Sequence, residues 1–215
     1  MAQIFPPGAN TFAKASIVGV VFVALGLGFV IDQISRSTYV TGTTSPPPQA
    51  VPFSHKHHVA GLGLDCRYCH TSVEKSAFAG IPPTETCIGC HKQIWADAPI
   101  LEPVRASWRE DKPLQWTRVH DLPQFVYFNH SIHINKGVGC ATCHGRVDKM
   151  PLMWSVNTLQ MEWCLDCHRN PAKNLRPRDQ VFNMEYVAEN QAELGPKLMK
   201  EYNVQSKTDC WVCHR

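Results

Sequence analysis

Ten cysteines and eleven histidines hold most of the chemistry available to this chain of 215 residues. Every cysteine falls in one of five copies of Cys-x-x-Cys-His: Cys66, Cys69 and His70; Cys87, Cys90 and His91; Cys140, Cys143 and His144; Cys164, Cys167 and His168; Cys210, Cys213 and His214. Thiols three residues apart share one face of a helical turn. They can add across two vinyl groups on one porphyrin edge, while the next histidine reaches the iron. Zinc would want ligands in sets of four, and five cysteine pairs do not divide into such sets. A disulfide framework requires no histidine after every second cysteine. The pattern therefore predicts five covalently bound haem c groups, with His70, His91, His144, His168 and His214 as proximal iron ligands.

Six histidines remain: His55, His57, His58, His120, His130 and His133. Four of them belong to a repeat. Phe53-x-His55-x-x-His58 precedes Gly61-x-Gly63 and the motif at Cys66, and Phe128-x-His130-x-x-His133 precedes Gly137-x-Gly139 and the motif at Cys140. The first histidine lies 11 residues before the cysteine in one copy and 10 in the other. Rings three apart emerge from neighbouring turns and can serve two adjacent haems. His55, His58, His130 and His133 are therefore the expected distal ligands, and His57 falls outside the shared register. For the fifth iron the choice lies between His120, which would make every site bis-histidine, and a methionine, which would raise the potential. Met184 is the preferred methionine, from an apolar helix expected over 184–194 and stopped by Gly195-Pro196; Met150, Met153 and Met161 are further possibilities.

The elements that must position these ligands are expected to be modest. Sixteen prolines and thirteen glycines interrupt the periodic segments, and porphyrin faces would supply apolar surface that side chains otherwise provide. The expected fold is mainly irregular with short α-helices, wrapped around a haem stack. The formal charge of +3 omits the propionates, about two per haem, and no basic run with interleaved aromatics appears, so no nucleic-acid partner is expected.

One segment differs from all others. Ala15 to Ile31 is an uncharged run of 17 residues between Lys14 and Asp32, the short end of a membrane-spanning helix. A signal peptide would have a shorter apolar core and a small-x-small cleavage site after it, and Val30-Ile31-Asp32-Gln33-Ile34 offers a poor one. The chain then reads as an inner tail (1–13), a transmembrane anchor (14–35), a Pro-rich linker acting as a semi-rigid spacer (36–52) and a five-haem domain (53–215). Within that domain, 53–95 and 128–169 are two-haem repeats and 170–215 carries the fifth haem; the Pro-broken segment 95–126 wraps between them.

The stretches at 54–70, 116–133, 137–145 and 161–169 together resemble the pentahaem cytochrome c subunit of alternative complex III, and the resemblance extends over nearly the whole chain. The paired repeat alone is shared with smaller class III multihaem cytochromes. What the resemblance implies is an electron-transfer subunit in a quinol-oxidising respiratory or photosynthetic complex of a bacterial inner membrane, with its haem domain on the periplasmic side. Partners would be an iron–sulfur protein, integral membrane subunits and a periplasmic carrier or oxidase. Two other functions fit the same plan: a stand-alone anchored quinol dehydrogenase feeding periplasmic reductases, and a multihaem nitrite or hydroxylamine reductase. The reductase needs an open iron, which the supply of distal ligands argues against. No catalytic acid or base is expected within this chain.

Overall fold

The computed structural model describes residues 4–214, so the first three residues of the expected inner tail lie outside the described residues. The chain divides into two compact units, one ending at Gly42 and the other beginning at Thr43.

The first unit is α1 (Ala9–Arg36) followed by the single turn α2 (Thr38–Thr41). Helix α1 starts directly after the Pro6-Pro7-Gly8 break and runs uninterrupted because the apolar stretch contains no proline. Its 28 residues rise about 42 Å, more than the hydrocarbon core of a bilayer. Among the described residues it is the one helix long and apolar enough to cross a membrane, and none of its side chains is buried within the protein. An ion pair between Arg36 and Asp32, 2.9 Å, closes its polar end.

The second unit is a loop-rich assembly of short helices: α3 (Cys66–Cys69), α4 (Thr84–His91), α5 (Glu102–Glu110), α6 (His130–Asn135), α7 (Cys140–His144), α8 (Met161–Arg169), α9 (Gln191–Glu201) and α10 (Cys210–Cys213). A π-helical turn, Lys56–Gly61, and several 3₁₀ turns join them. No strand occurs among the described residues; one isolated bridge links Val138 and Leu175. Every Cys-x-x-Cys pair lies on a helical turn, two of them on single-turn helices opened by an aspartate, Asp65 or Asp209, in extended conformation. The Asp65 side chain accepts a hydrogen bond from Arg67 N and so fixes the start of α3.

Two sequence expectations are corrected. The Pro-rich segment is not a spacer standing clear of the haem domain. Gln49 exchanges two hydrogen bonds of 2.9 Å with the Thr117 backbone, and Val51 is buried with Leu101 and Val104. Its extended backbone leaves carbonyls and amides free to stitch onto the 113–117 loop. The helix expected over 184–194 is also displaced: 184–190 is irregular, and α9 begins at Gln191 and runs through Gly195-Pro196. Asn190 caps it by accepting from Glu193 N, and Gly195 packs so closely on the Ala172 carbonyl that a Cβ there would sit 2.3 Å from the oxygen. That packing carries the helix past a proline which, by propensity alone, ends it.

Nine of the buried apolar residues form three small clusters, around Val51, Val73 and Leu175, instead of one core, and Val147 and Met150 are buried apart from them. Cys87 borders the first cluster and Cys140 the second, so the polypeptide core and the expected haem attachment points are built together.

Candidate haem sites

Each Phe-x-His-x-x-His segment folds into one helical turn, the first into the π turn and the second into α6. The phenylalanine fixes both rings. Phe53 stacks on His58 at 4.4 Å and meets His55 edge-on at 4.9 Å; Phe128 does the same to His133 at 4.5 Å and His130 at 4.8 Å. The repeat contained this signal, but its role as a spacer between ligands emerges only from the packing.

An imidazole nitrogen bonds a metal at about 2 Å and lies about 1.1 Å from its ring centre, so rings facing across one metal have centres about 6.2 Å apart. Four pairs meet that distance. His55 and His70 are 6.5 Å apart, His58 and His91 6.2 Å, His130 and His144 6.3 Å, and His133 and His168 6.1 Å. Each pair joins a repeat histidine to a different motif histidine beside two cysteines, a donor set that fits a covalently held haem with both axial positions filled.

Burial sets these rings in the form that binds metal. His144 is held at about 3 and His55 at about 4, in both cases mainly by desolvation and then by neighbouring histidines. Burial also lowers His133 and His120. A neutral imidazole is the ligating species. Behind the rings, backbone carbonyls accept hydrogen bonds from Nδ1–H. His70 donates to Gly80 O (2.7 Å), His91 to Ile94 O (2.9 Å), His168 to Lys207 O (2.8 Å), His214 to Phe125 O (3.1 Å), His58 to Ser54 O (2.9 Å), His130 to Ala77 O (2.8 Å) and His133 to Asn129 O (2.7 Å). This leaves Nε2 to face the metal. No sequence signal marks these acceptors, because any residue can supply a carbonyl.

The same bonds order the sites in space. The first and second sites, at Cys66 and Cys87, share the turn bearing His55 and His58. The third and fourth, at Cys140 and Cys164, share α6. One loop joins the two halves, since Ala77 O holds His130 of the third site while Gly80 O holds His70 of the first. Lys207 O and Ser206 tie His168 of the fourth site to the segment entering the fifth motif. The file therefore runs second, first, third, fourth, fifth. The thiols report the same neighbours: burial pushes Cys140 and Cys143 up to about 12, with Cys66 adding to the first and Cys167 to the second. Cys87 and Cys164 are raised by burial and then by Cys69 and Cys213 respectively.

The fifth site is different. His214 and the Cys213 carbonyl are tied to Phe125 and Tyr127, and the ring stacked nearest His214 is Phe125, on its Nδ1 side. His120 is packed edge-on against His144 at 4.3 Å, with its Nε2 buried and unpartnered, so it stands beside the third site. Met184 lies in a turn joined to the third motif through Cys140 N to Val181 O and Arg146 to Glu185. Met150 is buried under the first repeat, its carbonyl accepting from Lys56 N, and Met161 is exposed. His57 is exposed and lies 5.9 Å from Trp95.

Comparison with known proteins agrees with this chemistry. Residues 126–215 match the family described as cytochrome c7 and related cytochrome c. The chain is similar to the multihaem cytochrome c subunit of menaquinone reductase from Nitratidesulfovibrio vulgaris (Hildenborough), at 31% identity over 147 residues, covering 59% of this chain and 70% of the relative.

Proposed function

This chain belongs to the multihaem cytochrome c family, and from that premise we propose that it is a membrane-tethered five-haem electron conduit within a quinol-oxidising complex of the alternative complex III type. A haem c supplies an iron that changes oxidation state by one electron with little rearrangement when both axial positions are filled. The ten cysteines would hold the haems covalently, and the five motif histidines would each bind one iron. His55, His58, His130 and His133 would supply the second histidine at four of them and so exclude small molecules from those irons. The observation that carries the reading is the set of four histidine pairs at 6.1–6.5 Å, linked by shared turns and loops into one unbranched file. A conduit needs closed irons in sequence, whereas catalysis at a haem needs an open one.

Helix α1 is assigned to a bacterial inner membrane, with the unit from Thr43 onward on the periplasmic side, where haem is attached covalently. The partners are integral membrane subunits, an iron–sulfur protein and a periplasmic carrier or oxidase. The relative's name, which couples a multihaem subunit to menaquinone, supports a quinone as the redox partner. Met184 is retained as the sixth ligand of the fifth iron, and His120, packed on His144, is the alternative.

The test is near-infrared magnetic circular dichroism with EPR on the oxidised protein. Four His/His low-spin sites and no high-spin signal support the conduit. A high-spin signal altered by nitrite or hydroxylamine overturns it in favour of a reductase acting at the fifth site, the one where no histidine ring faces the motif histidine. Replacing Met184 with Ala removes a His/Met band if the assignment holds. Co-purification with integral subunits separates the complex from a stand-alone quinol dehydrogenase, which oxidises quinol by itself.

A further inference from the structure

We propose that the four histidine-paired sites are built as two classes, with the first and third sites holding their irons at higher potential than the second and fourth. The inference rests on the axial pairs given above. At the second site both rings are bonded to carbonyls, His58 to Ser54 O and His91 to Ile94 O. At the fourth site both are bonded again, His133 to Asn129 O and His168 to Lys207 O. The first and third sites each lack one such bond. His70 is bonded to Gly80 O, but Nδ1 of His55 is buried with no partner. His130 is bonded to Ala77 O, but among the described residues His144 makes no bond to a carbonyl and meets the edge of His120 instead.

A carbonyl on Nδ1–H pulls the proton outward and makes the ring a more basic, more anionic donor, which favours the oxidised metal. Two such bonds at a site therefore lower its potential more than one. At the third site the surroundings act in the same sense, because Cys140 packs against the buried Val73, Ile134 and Val181 and a low-dielectric surrounding disfavours the extra positive charge of the oxidised iron. The ring planes fall into the same two classes. They are nearly parallel at the first and third sites, 10° and 8° apart, and crossed at the second and fourth, 65° and 55°. Crossed planes favour the reduced ion slightly, opposing the trend; in this proposal the missing hydrogen bond outweighs them. In the file of sites, the higher-potential pair is then the adjacent first and third, so that electrons entering from either end come to rest at the middle of the four.

The ring planes also label the classes without any mutation. Near-parallel rings give a rhombic low-spin EPR spectrum, and crossed rings give a broad signal with one large g value. The experiment is an EPR-monitored redox titration of the intact, detergent-solubilised protein, with the fifth site told apart by its near-infrared band. As the potential is lowered, the two rhombic components are expected to disappear before the two large-g components. Large-g components that vanish first, or together with the rhombic ones, overturn the proposal. An oxidised protein without four His/His low-spin sites instead overturns the axial pairing itself, so the two failures are distinguishable. As a second measurement, His55→Met and His58→Met each mark one site with a His/Met band. The first is expected to remove a component from the higher-potential pair and the second from the lower; the reverse overturns the proposal.

Discussion

Gly63 and Gly137 each stand three residues before the first cysteine of their motif, at φ of +70° and +82°, so each is glycine because the chain turns through the left-handed region there. Their surroundings differ. A Cβ on Gly63 meets nothing within 4 Å, whereas one on Gly137 would lie 2.6 Å from the Arg176 carbonyl and 2.9 Å from the Tyr202 ring. Gly63→Ala is expected to cost about 1 kcal/mol from backbone strain alone. Gly137→Ala is expected to cost about 3 kcal/mol or more, because strain and overlap add. Thermal unfolding of the two variants, followed by far-UV circular dichroism, checks the difference. A second residue-scale expectation concerns Asp148, which is buried and gripped by Arg146 through bonds of 2.8 and 2.6 Å. The Arg146 hydrogen bond holds its carboxyl below the usual carboxylate range. A depressed pKa contributes stability that is present above the unfolded value and is lost as pH falls through the lower folded one. Asp148→Asn should therefore lower the melting temperature near neutrality and flatten its decline below about pH 4. Melting temperatures measured from pH 7 to pH 2 test both parts.

At the scale of elements, the two ligand-bearing turns differ by one residue, and the sequence already contained the reason. His55 stands 11 residues before its cysteine and His130 stands 10, and the added residue is absorbed as a π turn where the second repeat has an α turn. Deleting Ala60, which is exposed, should convert the π turn to an α turn and leave both rings on Phe53. Retention of all four His/His signals is the expected result; loss of two shows that the π geometry is needed for ligation. The pairing of particular rings was not legible in the sequence. His58 meets His91 and His133 meets His168 across loops whose course depends on carbonyls, and a carbonyl is the same for every residue type. The behaviour of Gly195-Pro196 was misread for a related reason, since local propensity says nothing of the close approach to Ala172 that holds α9 together. What spacing did carry is which four histidines the fold sets face to face with motif histidines, because Phe-x-His-x-x-His at a fixed distance from Cys-x-x-Cys-His leaves few alternatives. His120 shows the limit: the sequence offers it for the fifth iron, and the fold packs it edge-on against His144 of the third site.

For the whole molecule, the number of buried side chains decides what the fold depends on. Eleven apolar residues are buried among those described, nine of them in three separate clusters. A chain this size ordered mostly as loop loses conformational entropy at every residue, and so few buried side chains do not offset that loss. Large side chains beside the motifs stay exposed in the polypeptide alone, among them Trp95, Phe125, Tyr127 and Trp211. Porphyrin faces are the surface that would cover them. The unit from Thr43 onward is therefore expected to fold only as haem is attached. Produced without haem attachment, it should give a coil-like far-UV spectrum and fast proteolysis; a cooperative melt with native helix content would show that the polypeptide core is sufficient. The sites should also contribute unequally. Cys140 packs against Val73, Ile134 and Val181, while Cys210 is exposed. Replacing Cys140 and Cys143 with alanine should destabilise the unit far more than replacing Cys210 and Cys213. It should also divide the file, leaving the first two sites to titrate independently of the last two. Equal losses of stability from the two double variants would mean that the third site is no more central to folding than the last, and that position along the file has no bearing on the stability of the unit.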